Sequence, residues 1–171
     1  MEMTWLITGV SSGFGYEMTK QLLKRGDTVV GTVRKTDKVR AFLERYPDTF
    51  DCRILDVTDV PAVHKTVDEA FAAHGKIDVV VSNAGYGLFG AAEELSDEQI
   101  DQIVATDLVG AIQVIRSALP HLRAQGGGRI IQVSSYGGQV AYAANSMYHA
   151  CKFGIEGFCE SVAQEVAKYN I

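Results

Sequence analysis

The sequence predicts an α/β fold, a doubly wound parallel sheet with helices on both faces. Three observations carry this. Short apolar segments alternate with longer stretches of helical periodicity. The fourth apolar segment, Ile77 and Val79 to Val81, is continuous, as in a strand buried on both faces. A glycine-rich turn, Thr8-Gly9-Val10-Ser11-Ser12-Gly13-Phe14-Gly15, joins the first strand to the first helix.

The elements follow in order. Met3 to Thr8 reads as a strand. Gly13 to Arg25 reads as a helix, with Phe14, Met18, Leu22 and Leu23 on one face and Gly26 as its stop. Thr28 to Val33 is the second strand. Asp37 to Tyr46 is a weaker helix closed by Pro47, and Phe50 to Leu55 is the third strand. Val60 to His74 carries Val63, Val67, Ala70 and Phe71 on one stripe. Ile77 to Ser82 is the fourth strand. Ser96 and Gln99 fit a capping box opening a helical region to Ala124, expected as two helices. Gly126 to Gly128 break the chain, Arg129 to Val133 is the fifth strand, and Asn145 to Tyr169 is helical. Asn170-Ile171 resembles the entry to a further strand, so the sheet is expected to lack its last strands.

The 171 residues suit one domain, 1–171, long enough to bury a core. Sixteen basic residues against 21 acidic ones give a net charge of −5, a poor balance for binding nucleic acid. No apolar stretch reaches the ~20 residues of a membrane span, and an opening strand leaves no room for a signal peptide. Cys52, Cys151 and Cys159 contain no CxxC pair, and the four histidines have no metal-ligand spacing. A cytoplasmic protein with reduced thiols and no metal is therefore expected. His64, His74, His121 and His149 are assigned to helix surfaces.

The glycine turn has a physical reading. Gly9 permits a tight turn, Gly13 a close backbone approach to a pyrophosphate, and Gly15 close packing of helix on sheet. The helix N-terminus supplies free N–H groups and partial positive charge. The spacing is neither GxGxxG nor a P-loop.

The TGxxxGxG turn, Asn83-Ala84-Gly85 after the fourth strand, and Tyr148-His149-Ala150-Cys151-Lys152 with Ser135 thirteen positions upstream together resemble the short-chain dehydrogenase/reductase family. The stretch Asn83 to Gly90 resembles its hydroxysteroid-dehydrogenase-like branch. The resemblance runs from Met3 to Ile171. It implies a Rossmann-type sheet and a nicotinamide cofactor. It also implies that members extend further and carry there the loop enclosing the substrate.

Tyr148 and Lys152 are four apart on one helical face. A free tyrosine titrates near 10, and a neighbouring ammonium favours its phenolate. By resemblance, Tyr148 exchanges a proton with the substrate oxygen, Ser135 polarises that oxygen, and Lys152 holds the nicotinamide ribose and assists Tyr148. Ser134 is adjacent to Ser135, but the family spacing selects Ser135. Asp107 stands where the family carries an asparagine that bends a helix and holds a water through its main chain. The carboxylate bears on rate and pH optimum more than on reaction type.

An NAD enzyme of this fold places an acid at the end of the second strand. Here Val33 is followed by Arg34 and Lys35, which suit a 2′-phosphate. NADP(H) is therefore expected, with NAD(H) disfavoured. The resemblance also assigns Gly9, Ser11, Ser12, Gly13, Phe14 and Gly15 to the cofactor. It adds Asp56 and Val57 at the adenine, and Asn83, Ala84 and Gly85 at the ribose.

Tyr86, Leu88, Phe89, Gln139, Val140 and Tyr142 lie on loops at the same sheet edge and suggest a bulky, apolar carbonyl or alcohol substrate. A homodimer or homotetramer is implied by resemblance alone. The leading reading is an NADP(H)-dependent oxidoreductase with Tyr148 as acid/base. Its rivals are a catalytically silent dinucleotide-binding regulatory or scaffold protein, and an epimerase or dehydratase using bound nicotinamide.

Overall fold

The computed structural model describes residues 2–171. Five strands form one sheet: β1 (Thr4–Thr8), β2 (Thr28–Val33), β3 (Phe50–Ile54), β4 (Val79–Ser82) and β5 (Arg129–Gln132). All pairings are parallel, in the order β3-β2-β1-β4-β5. The chain builds outward from β1 to β3, then returns to the far side of β1 with β4. That reversal opens a crevice at the carboxyl ends of β1 and β4, where ligands of open α/β sheets bind.

The helices are α1 (Gly13–Arg25), α2 (Arg40–Arg45), α3 (Val60–His74), α4 (Asp97–Ile103), α5 (Ala111–Ala124) and α6 (Ser146–Val166). Central strands divide their side chains between two cores, because successive residues face opposite sides. Leu6, Val30 and Val80 join Val67 and Phe71 of α3 and Val114, Ala118 and Leu122 of α5. Ile7, Val29, Val79 and Val81 join Leu22 and Leu23 of α1 and Phe42 of α2. Each such buried side chain contributes roughly 1.5–3 kcal/mol against exposure. The sheet is thus doubly wound, as the continuous apolar fourth strand implied.

The expected elements are present, with five differences of physical interest. β4 begins at Val79 rather than Ile77, because the Ile77 backbone is satisfied by a side chain. Its N–H donates to Gln125 Oε1 (3.3 Å) and its carbonyl accepts from Gln125 Nε2 (2.8 Å). The segment expected as one helix over 37–46 is a 3₁₀ turn, Thr36–Val39, followed by the short α2. The two helices expected after Ser96 run as one, Asp97–Ala124, joined through π-helical turns over Val104–Gly110. The capping box at its start is present. This 28-residue helix is long and apolar enough to cross a membrane by length and composition, against the expectation of no such stretch. Its apolar side packs into the core through Ile103, Val114, Ile115 and Leu122. Last, His149 is buried rather than on a helix surface. A loop folds over it, which no helical periodicity reports.

Gln125 also donates to Gly127 O (2.7 Å), so one amide closes three backbone groups. Gln125→Ala is expected to destabilise the fold by about 1–3 kcal/mol, read as a lower urea midpoint with an unchanged slope.

Candidate functional site

The turn after β1 is stitched to the end of β4. Asn83 Nδ2 donates to the carbonyls of Thr8 (2.9 Å) and Gly9 (3.2 Å). Thr8 Oγ1 accepts the N–H of Asn83 (3.0 Å) and of Ala84 (3.1 Å). Gly15 lies in this seam, where a Cβ would run into Gly9 O and Asn83 Nδ2. Gly13 is different: its φ is +57°, and nothing lies within 4 Å of where a Cβ would stand. Glycine is needed there for the left-handed backbone, and the space in front of it is free for a ligand.

A cleft of about 730 Å³ follows this edge. Gly9, Ser11, Ser12, Gly13 and Phe14 line it from the turn, and Arg34, Asp56 and Val57 from beyond β2 and β3. Asn83, Ala84 and Gly85 line it after β4, and Asp107, Tyr148 and Lys152 from the helices. Three expected residues are not on its wall. Gly15 packs behind it. Lys35 is exposed outside it. Ser135 lies next to the lining residue Ser134 and caps a 3₁₀ turn, Tyr136–Gly138, its Oγ accepting the N–H of Gly137 (3.1 Å). An accepting hydroxyl keeps its own proton to donate.

The residues present fit a dinucleotide. Ser12, at the N-cap of α1, makes no side-chain cap bond, so the first-turn N–H groups point uncapped into the cleft, suited to a pyrophosphate. At the far end, hydrogen bonds from the Thr58 backbone and hydroxyl, with help from the Arg34 charge, hold the Asp56 carboxyl below its ordinary value. A guanidinium and a carboxylate thus stand side by side where the adenosine half would lie.

The other end is built around Lys152, which is 5% exposed. Its Nζ donates to Val133 O (3.2 Å), stands 3.8 Å from Asp107 Oδ2, and lies 5.5 Å from the centre of the Tyr148 ring. Asp107 sits in the π-helical turns with no exposed side-chain surface. Its two oxygens accept the N–H of Tyr86 at 3.0 and 3.3 Å. Gly85 permits this approach, since a Cβ there would stand 3.0 Å from Oδ2. One carboxylate therefore ties the loop after β4 to Lys152. Burial raises the Asp107 carboxyl above its ordinary value, and the Tyr86 N–H and Lys152 recover only part of that. Burial and the same carboxylate push the neighbouring Cys151 thiol up to about 11.

Sequence reading assigned no role to the Thr8 hydroxyl, to Gln102 and Thr106 on the cleft wall, or to Ser134, His149 and Glu156. Thr8 was signalled by its place in the glycine turn. Gln102 and Thr106 were signalled only by lying one turn and one residue before Asp107. The last three meet through a loop, so no local pattern announces them. Of the residues expected to shape the substrate pocket, Tyr86 lines the cleft, whereas Leu88, Phe89, Gln139, Val140 and Tyr142 are not on its wall, and Phe89 and Tyr142 are exposed. Their two loops are joined by a bond from Gly90 N–H to Ala144 O (3.0 Å).

The short chain dehydrogenase family model matches residues 3–171. The chain is 34% identical to a 3-ketodihydrosphingosine reductase of Bacteroides thetaiotaomicron over 97% of its own length and 59% of the relative's. It is 31% identical to an NADPH-dependent 3-dehydrocapnine reductase of Ornithobacterium rhinotracheale over 97% of its length and 61% of the relative's. A short-chain dehydrogenase from Streptomyces avermitilis superposes with a TM-score of 0.96 at 36% identity, covering 100% of this chain and 63% of that one. The chain thus spans about three fifths of the length of the curated relatives it matches.

The raised Asp107 carboxyl has a defined consequence for stability. An acid whose folded value lies above its unfolded one stabilises the fold at low pH and loses that contribution as pH rises through the raised value. From pH 4 towards neutrality, the melting temperature of the parent should therefore fall relative to that of Asp107→Asn. Parallel slopes for the two proteins would contradict it.

Proposed function

Because the chain belongs to the short-chain dehydrogenase family, we propose that it is the catalytic core of an NADP(H)-dependent oxidoreductase acting on a carbonyl or secondary alcohol. The observation that carries this is the meeting of Tyr148 and Lys152 with the glycine turn on one cleft. The bound nicotinamide supplies or accepts the hydride.

The chain's own residues manage the proton. In the reducing direction the Tyr148 hydroxyl gives its proton to the carbonyl oxygen, and in the oxidising direction it takes the alcohol proton. Ser135, still able to donate, hydrogen-bonds the same oxygen and stabilises charge developing there. The Lys152 ammonium, held by Val133 O and Asp107, favours negative charge on the Tyr148 oxygen and reaches the nicotinamide ribose. Ser11, Ser12 and the α1 N-terminus would hold the pyrophosphate. Asn83, Ala84 and Gly85 border the ribose, and Asp56 and Val57 border the adenine.

Arg34 supports NADP(H) over NAD(H). It lines the cleft just beyond β2 with no acid in the position that would repel a 2′-phosphate. The NADPH dependence printed for the Ornithobacterium relative supports the same choice. The exposed Tyr86, Phe89 and Tyr142 support a bulky, apolar substrate. We extend the proposal to a single NAD(P)-binding Rossmann domain over 1–171, a cytoplasmic enzyme and a homodimer or homotetramer.

Oxidation of NADPH and NADH, followed in parallel over a panel of bulky ketones, tests the reading. Turnover should require NADPH, and Tyr148→Phe should lower kcat by about 10²–10⁴-fold. Tight NADPH binding with no turnover would instead mark a regulatory protein. Arg34→Ala removes charge-assisted contacts of about 1.5–3 kcal/mol. It should weaken NADPH roughly 10- to 100-fold while leaving NADH nearly unchanged, by fluorescence titration.

A further inference from the structure

The segment from Ser134 to Tyr142 lies flat on α6, and two side chains of α6 grip it. Glu156 holds both ends of its first half: Ser134 Oγ donates to Glu156 Oε1 (2.5 Å), and Gln139 Nε2 donates to Glu156 Oε2. His149 holds the second half: its Nδ1 bonds Gly137 O (2.8 Å), and its Nε2 accepts the N–H of Tyr142 (3.2 Å). The second bond requires a lone pair on Nε2, so Nδ1 carries the proton and donates. The Tyr142 ring meets the imidazole edge-on, with centroids 4.5 Å apart.

His149 and Glu156 are seven residues apart, so they occupy nearly one line along the helix. Tyr148 and Lys152 lie between or beside them. The contact is close at both Gly137 and Gly138. A Cβ on Gly137 would stand 2.7 Å from His149 Nδ1 and 3.2 Å from Tyr148 Cε1. One on Gly138 would collide with Glu156 Oε1 and come within 2.8 Å of Ser134 Oγ. Ser135 sits inside this clamp, its Oγ engaged by Gly137 N–H and its carbonyl by Gly138 N–H (3.0 Å).

We propose that Glu156, together with His149, is a positioning residue that fixes Ser135 against Tyr148 by clamping the Ser134–Tyr142 segment to α6. The proposal rests on the oxidoreductase reading above. Neither Glu156 nor His149 is on the cleft wall. The clamp makes Ser135 and Tyr148 move as one unit, because both are referred to the same helix. Preorganised donors gain their catalytic value from being held where charge develops, and a displacement near 1 Å costs on the order of 10²-fold.

The experiment compares Glu156→Ala, Glu156→Gln and Ser134→Ala with the parent and with Tyr148→Phe. Glutamine can accept from Ser134 through its Oε1 and donate to Gln139 through its amide, so it is the conservative rescue. Glu156→Ala should lower kcat at least tenfold, leave NADPH affinity within twofold, and speed amide exchange across residues 136–142. Glu156→Gln should restore both kcat and protection, and Ser134→Ala should lower kcat severalfold in the same direction. The proposal is overturned by parent-like kcat or parent-like exchange in Glu156→Ala. It is equally overturned if NADPH affinity falls in step with kcat. If Glu156→Ala does not fold, Ser134→Ala with parent-like kcat and exchange overturns it. Turnover that survives Tyr148→Phe sinks the oxidoreductase reading instead, and the exchange measurements still judge the clamp.

Discussion

The seam between the first and fourth strands is the constraint on which the rest depends. Thr8, Gly9, Gly15, Asn83 and Ala84 meet there through four hydrogen bonds and one contact that only glycine permits. The seam sets how far the β1 turn stands from the sheet, and so where α1 begins. It also ends β4, sending the chain into the loop that Asp107 anchors. A cleft between strands running outward in opposite orders would exist in any such sheet. Its particular width and its uncapped helix terminus come from this small polar cluster.

A second polar cluster, at the opposite end of the cleft, is held at greater energetic risk. Asp107 and Lys152 are both buried, and their attraction recovers only part of a desolvation cost of several kcal/mol per ion. The pair is sustained by backbone groups, the Tyr86 N–H on one side and Val133 O on the other. The π-helical turns around Asp107 are the local distortion at this site, and such distortions are common where a helix must present a functional group. Lys152 is therefore positioned by three separate stretches of chain: its own helix, the end of β5 and the long helix carrying Asp107.

What the sequence disclosed follows from the range of each interaction. β2, α1 and α3 were readable to their end residues, because short apolar runs, helical stripes and glycine stops are local. The glycine turn and the Tyr148–Lys152 pair were readable for the same reason, each being one short segment on one element. The start of β4 was not, since the partner of Ile77 is the side chain of Gln125 on a distant helix. The continuity of Asp97–Ala124 was missed because nothing in Val104–Gly110 signals extra residues per turn. His149 was misplaced because the loop that covers it arrives from outside α6. Lys35 was grouped with Arg34 on charge alone, and the chain directs it away from the cleft.

The strand order also has a meaning in time. β1 receives β2 early, through the Thr4–Thr28 register, but its other edge pairs with β4, whose Val79 meets Trp5 only after much more chain has been made. Until then the backbone of Trp5, Leu6 and Ile7 presents an unpaired, apolar edge, the kind of surface on which nascent chains cross-associate. The pairing that covers this edge of β1 is the same one that forms the crevice. Formation of the binding cleft and closure of the β1 edge are thus one and the same strand pairing.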